Sequence, residues 1–314
     1  MTENEFILAD RIAKIKSVIE KYGEENFYIS FSGGKDSTVL HHLIDEALPG
    51  NRIPRVYANT GIEYKAIVKF VEELQAEDDR ITIIQPSVPI KKMLKEEEYP
   101  FKSKGHAKWV DMFQRNGRTQ SIENYLQSDK ADKTLYRPCP KVLKYQFSDN
   151  FNIRISDKCC FYMKEEPLDS WAKANNKKYG IVGIMREEGG RRTKAECLSF
   201  RNGKLWHFQP LSVVTKDWEA WFIDRFKIEL ALLYYQPYNF IRTGCKGCPF
   251  ALHLQEELDT LEKFFPAERK QCEYIWKPIY EEYRRIGYRN MRPLDEGRQT
   301  TIEEFLVNMD EEKP

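Results

Sequence analysis

The run Phe27-Tyr28-Ile29-Ser30-Phe31-Ser32-Gly33-Gly34-Lys35-Asp36-Ser37-Thr38-Val39-Leu40 constrains this chain more than any other stretch. Its first five residues, apolar and aromatic, predict a short buried strand. The paired glycines that follow allow a tight turn and let a ligand approach the backbone. From Thr38 to Ile44 the pattern becomes that of an amphipathic helix. Strand, glycine turn and helix start in that order make an anion site, because unpaired N–H groups and the positive end of the helix dipole face the turn. Lys35 adds a cation, and Ser30, Ser32 and Ser37 add hydroxyl donors. The spacing fits neither the phosphate loop with four residues between its glycines nor G-x-G-x-x-G.

Further strands are predicted at Arg52–Ala58, Ile81–Ile84 and Tyr179–Ile184, with a short apolar run at Trp206–Leu211. Helical spacing marks residues 5–22, Ala66–Leu74, Trp218–Phe226 and Leu254–Tyr283, with one more short helix at Ile302–Val307. Strands alternating with helices predict βαβ units and a parallel sheet, with ligands at the carboxyl ends of the strands. The polar tip Asn59-Thr60-Gly61-Ile62-Glu63 is therefore expected to border the same pocket as Ser32–Ser37. From Ile90 to Tyr145 the pattern loosens, and thirteen Lys and Arg side chains, Lys130, Lys133 and Arg137 among them, are interleaved with Phe101, Trp109, Phe113 and Tyr136. Cations beside aromatics suit a substrate-facing or nucleic-acid-facing segment.

Fifty basic and 49 acidic residues nearly cancel, which argues against a globally basic nucleic-acid binder. No apolar run approaches the roughly 20 residues that span a bilayer, so no membrane role is expected. The acidic start, Met1-Thr2-Glu3-Asn4-Glu5, lacks the layout of a signal peptide, and seven cysteines point to thiols or metal ligands in a reducing compartment. A cytoplasmic protein is the expectation.

Cys245 and Cys248 form C-x-x-C, a spacing that brings two thiolates to one centre and fits zinc, iron–sulfur or redox chemistry alike. Cys159 and Cys160 are adjacent; their diverging side chains suit separate iron corners of a cubane better than one tetrahedral zinc. Cys272, among Glu268, Arg269, Lys270 and Glu273, reads as mid-helix with cationic neighbours able to depress its pKa.

Ser-Gly-Gly-Lys-Asp-Ser resembles the pyrophosphate loop of the ATP pyrophosphatase (PP-loop, adenine nucleotide alpha hydrolase-like) superfamily, and Asn59-Thr60-Gly61 is similar to its Asp-Thr-Gly tip. Within that superfamily the chain resembles the phosphoadenosine phosphosulfate (PAPS) reductase family. Cys159-Cys160-x-x-x-Lys164-x-x-Pro167-Leu168 with the later C-x-x-C is similar to the [4Fe–4S] ligand set of adenosine phosphosulfate (APS) reductases and of phosphorothioate DNA-modification enzymes. Gly183-Ile184-Met185-Arg186-Glu187-Glu188, followed by Arg191 and Arg192, resembles the family's Gly-x-Arg-x-Glu turn, displaced by a residue. The resemblance covers roughly residues 25–250.

It implies a Rossmann-like doubly wound parallel sheet over residues 1–250 with a helical C-terminal extension over 251–314. It implies ATP and Mg²⁺ at Ser30, Ser32, Gly33, Gly34, Lys35, Asp36, Ser37, Asn59, Thr60, Gly61 and Arg186. Lys35, Asp36, Arg191 and Arg192 take the catalytic roles, and Cys159, Cys160, Cys245 and Cys248 hold a [4Fe–4S] cluster. Three activities stay open. One is ATP-dependent adenylylation followed by sulfur transfer to a nucleic-acid or small-molecule acceptor, with a sulfur-donor protein. Another is reduction of APS or PAPS to sulfite with a thioredoxin-like partner. The last is nucleotide sensing without turnover. The full loop, and the lack of a Glu-Cys-Gly-Leu-His tail, favour the first.

Overall fold

The computed structural model describes residues 1–127 and 138–293, and of Gly190 and Arg191 the backbone alone. The expected helix at 302–307 and residues Lys130, Lys133, Tyr136 and Arg137 lie outside the described residues. One sheet contains β1 (Phe27–Phe31), β2 (Arg55–Ala58), β3 (Ile81–Ile84), β4 (Tyr179–Val182), β5 (Leu198–Arg201) and β6 (Lys204–Phe208). The strand order is β3-β2-β1-β4-β6-β5, parallel throughout except for β5, which runs antiparallel to β6. The expected α/β class and doubly wound, mostly parallel sheet are what the chain forms. Strand β2 begins three residues later than the apolar pattern suggested, because Pro54 has no N–H to give a ladder.

The helices are α1 (Glu3–Tyr22), α2 (Lys35–Ala47), α3 (Lys65–Glu77), α4 (Ile90–Glu97), α5 (Lys104–Asn116), α6 (Gln120–Leu126), α7 (Glu166–Ala174), α8 (Lys216–Phe226), α9 (Leu254–Phe264), α10 (Pro266–Ile275) and α11 (Lys277–Arg285). Phe27 and Ile29 of β1 meet α1, α2 and α8 through Ile15, Leu40, Ile44, Trp218 and Phe222. On the opposite face, Tyr28 and Val56 meet Ala172 and Trp171 of α7. A third apolar cluster joins Phe31 and Tyr57 to α3 to α6 and to α9 to α11, and includes Cys159 and Cys272.

The loosely patterned stretch after Ile90 is therefore three helices rather than an open surface. Phe101 is wholly buried and packs edge-on against Tyr283, while Trp109 stacks on Tyr125 with ring centroids 5.4 Å apart. Those rings are occupied in packing, so the described aromatics of this stretch are not a platform for stacking bases. A hairpin unread in the sequence links β5 to β6 through Asn202 (φ 51°) and Gly203 (φ 73°), the left-handed pair that a two-residue turn demands.

Candidate nucleotide and thiol site

Strand order reverses at β1, whose neighbours are β2 and β4, so the crevice beyond their carboxyl ends is where an open α/β sheet takes a ligand. The glycine loop lies there. Gly33 holds φ +67°, and a Cβ on it would sit 2.7 Å from Val71 and 2.9 Å from Ile67 of α3. Gly34 needs no unusual φ but lacks room: its Cβ would meet Ser32 Oγ, Thr243 Oγ1 and Tyr234 OH at 3.2–3.3 Å. Ser32 and Ser37 hydroxyls stand 2.9 Å apart, Ser37 Oγ donates to Gly34 O (2.8 Å), and Ser32 N–H donates to Ser37 Oγ (3.2 Å). Lys35 N–H donates to Tyr234 OH (3.0 Å), which is 2.6 Å from Thr243 Oγ1. A small cradle ringed by hydroxyls at a helix start results, the chemistry expected for a polyphosphate. Ser30, inside β1 opposite Val56 and Val182, shares the face of Tyr28.

The β4 tip closes one side: a Cβ on Gly183 would lie 3.0 Å from Asp36 O, so only glycine lets the tip touch the first turn of α2. Beyond it lie the arginines expected to face the ligand. Arg186 is exposed and donates to Ala195 O. Arg192 pairs with Glu188, which Arg242 also approaches at 2.9 Å. The Arg191 side chain lies outside the described residues. Asn59 serves its own turn, with Oδ1 accepting from Gly61 N–H at 3.0 Å.

Two features of the loop were not read from the sequence. Lys35 Nζ stands 3.0 Å from Oε2 of Glu219, a fully buried carboxylate on α8. Burial, and then the neighbouring Asp36 charge, push the Glu219 pKa up to about 7 against the pull of Lys35. Tyr234 and Thr243 come from far along the chain. A readable signal existed for Glu219, which falls between Trp218 and Phe222 on the apolar stripe of its helix.

The segments that carry both cysteine pairs approach the β2 tip. Glu63 and Cys245 form an isolated antiparallel bridge, and Lys246 N–H donates to Ile62 O (2.8 Å). Lys164 lies in a π-helical turn, Phe161–Glu165, that follows Cys160; its ammonium is 2.9 Å from Glu63 Oε1, which also accepts from Thr60 Oγ1 at 3.1 Å. Burial disfavours that ammonium, but Cys245 and Glu63 outweigh it and hold the Lys164 pKa above the ordinary value. All seven cysteines are free thiols.

The adjacent Cys160 and Cys159 oppose each other's ionisation, so that the Cys159 pKa is raised and the Cys160 pKa lowered; burial and the negative neighbours Cys245 and Cys248 add to the rise at Cys159. Burial pushes Cys245 up to about 12 and Cys248 upward, with Cys160 adding to both. The four expected ligands are thus electrostatic neighbours that oppose one another's ionisation, and four thiols are the donor set that a thiolate-ligated cluster uses. Among the described residues no group of three or more His, Cys, Asp or Glu side chains is arranged to hold a metal ion as it stands. A cubane spreads its ligands over separate iron corners, so its thiols need not converge on one point. Chain geometry ties this centre to the cradle: Thr243 walls Gly34, and Cys245 follows two residues on, at most about 7 Å of backbone.

Cys272 is packed, as a lone mid-helix cysteine usually is, rather than activated. It is wholly buried, a Cβ on Gly247 would lie 2.7 Å from its Sγ, and burial pushes its thiol up to about 12. Its basic neighbours do not overcome that desolvation.

No curated protein matches the chain in sequence. Among solved structures it is similar to the PAPS reductase from Candida auris in a phosphate complex, at 11% identity over 71% of this chain and 88% of that one, TM-score 0.39. It is similar also to the NH3-dependent NAD synthetase from Campylobacter jejuni, at 13% identity over 94% of this chain and 100% of that one, TM-score 0.40. The U34-tRNA thiolase NcsA from Methanococcus maripaludis with its [4Fe–4S] cluster gives 16% identity over 96% and 88%, TM-score 0.37. Likenesses this distant carry no weight below. The family model of the phosphoadenosine phosphosulfate reductase domain, by contrast, matches residues 26–136 and 135–251, well over half of the sequence. The chain belongs to the phosphoadenosine phosphosulfate reductase domain family.

Proposed function

We propose that this protein is an ATP-dependent adenylylating sulfur-transfer enzyme, converting ATP to AMP and pyrophosphate. The observation that carries the reading is the complete Ser32–Ser37 loop at the sheet's reversal point, with Thr243 against it and Cys245 two residues further on. An acceptor oxygen attacks the α-phosphorus and pyrophosphate leaves; a sulfide-level sulfur nucleophile from a donor protein then forms the C–S bond as the acceptor C–O bond breaks and AMP leaves. Lys35 and the N–H groups at the start of α2 hold the charge that builds on the β- and γ-phosphates. Lys35 is kept in reach by Glu219, and the phosphates draw it away from that carboxylate. Mg²⁺ held through Asp36 would neutralise the same phosphates. A [4Fe–4S] cluster on Cys159, Cys160, Cys245 and Cys248 would supply sulfur binding beside the adenylylated acceptor. The ammonium of Lys164 offsets thiolate charge there, and Glu63 with Thr60 fixes its position.

Reduction of APS or PAPS requires an accessible thiolate to attack sulfur, and the candidate, Cys272, is sealed beneath Gly247. Anaerobically purified protein, given ATP with water standing in for the acceptor, or APS with a dithiol reductant, is expected to form AMP and pyrophosphate in equal amounts from ATP and no sulfite from APS. Lys35→Ala should lower that rate by about a hundredfold or more while leaving metal content unchanged. Sulfite from APS, or equal rates in wild type and Lys35→Ala, would contradict the proposal.

A further inference from the structure

Tyr57 lies at the carboxyl end of β2, where its ring is 2% exposed and packs in the apolar cluster that contains Cys159 and Met163 and borders Cys245. Its hydroxyl is buried and has no hydrogen-bond partner. An unsatisfied buried hydroxyl is destabilising, so its persistence in a well-packed strand calls for a physical reason. The surroundings supply one. The charged groups acting on this phenol are Glu63, Lys164 and Cys245, members of the thiol centre, followed by the more remote Glu72.

Each other donor beside the thiols is already engaged. The Lys164 ammonium is paired with Glu63, and Thr60 Oγ1 donates to the same carboxylate. Lys246, buried within the C-x-x-C turn, pairs with Glu268 at 2.8 Å. Tyr57 alone among these holds an O–H directed at nothing in the protein.

We propose that the Tyr57 hydroxyl is a positioning donor to a sulfur anion, either ligand thiolate or inorganic sulfide, held at the four-thiol centre. The assignment rests on the cluster reading above. An O–H donated to such sulfur withdraws charge from it and makes the centre easier to reduce, one of the means by which a protein sets the potential of an iron–sulfur site. Burial suits the task, since a phenol kept far from ionisation remains a donor throughout the physiological range.

Tyr57→Phe removes the oxygen and keeps the ring. Protein purified anaerobically should contain the same iron and sulfide as wild type, but its midpoint in a dye-mediated redox titration should move to a more negative potential. An unchanged midpoint at equal iron content overturns the assignment of Tyr57 and leaves the cluster standing. Wild type without iron overturns the cluster itself, and the assignment with it. Should the variant not fold, resonance Raman spectra of wild type in H₂O and D₂O provide the test. A shift in the iron–sulfur stretching bands is expected, and identical bands would overturn the proposal.

Discussion

Glu219 shows how one side chain can couple the loop to the protein's response to pH. Its carboxylate is buried beside Asp36 and within 3.0 Å of Lys35, with a pKa moved from 4.5 to about 7. Below pH 4.5 the folded and unfolded chains both carry the proton. Between 4.5 and about 7 the unfolded chain releases it and the folded chain keeps it, so the stability Glu219 contributes is lost as pH rises. Glu219→Gln should therefore gain on wild type by up to about 3 kcal/mol across that window, measured by urea unfolding at a series of pH values. Parallel stability curves would show that Glu219 is ionised throughout. Legibility at this scale was uneven. Ser32 to Ser37 could be read because six adjacent residues carry turn, dipole and charge together, whereas Tyr234 reaches Lys35 N–H from 199 residues away, and no local pattern marks that contact.

Among elements, the C-x-x-C turn depends most on a single glycine. Gly247 has φ +59°, and a Cβ there would stand 2.5 Å from Tyr280 OH and 2.7 Å from Cys272 Sγ. Tyr280 OH in turn donates to Gly247 O, and Trp276 Nε1 donates to Lys246 O at 3.2 Å, so α10 and α11 hold the turn that presents Cys245 and Cys248. Gly247→Ala should cost about 3 kcal/mol from left-handed strain and overpacking together. It should also lower metal content, read by unfolding midpoint and metal analysis of the same preparation. Wild-type stability and metal would mean that the turn tolerates a side chain and that the helices do not fix it. Strands with continuous apolar runs, such as β1 and β3, were legible to the residue. The β5–β6 hairpin carried its signal in Asn202-Gly203, but its flanking strands are half polar and did not stand out. Helices α4 and α5 were hidden by their lysines, which cover the outer face of segments whose inner face is Ile90, Met93, Leu94, Ala107 and Val110.

For the molecule as a whole, the parallel sheet followed from the alternation of strand and helix patterns and the cradle from the glycine turn between strand and helix, whereas the reversal at β1 is set by strand order, which no local pattern carries. The meeting of the two cysteine pairs came from resemblance rather than pattern. Its physical basis lies in long-range contacts that spacing cannot reveal: the Glu63–Cys245 bridge, the Lys164–Glu63 pair and the packing of α10 beneath Gly247. These join segments from the first, middle and last thirds of the chain around one crevice. The account stands on four thiols beside a polyphosphate cradle acting as one centre. Its most direct test is the iron and acid-labile sulfide content of wild type purified without oxygen, beside Cys245→Ala. Near-stoichiometric cluster iron and sulfide in wild type, lost in Cys245→Ala, is the result expected. Wild type that carries zinc, or no metal, or a variant that keeps its full iron, would contradict it.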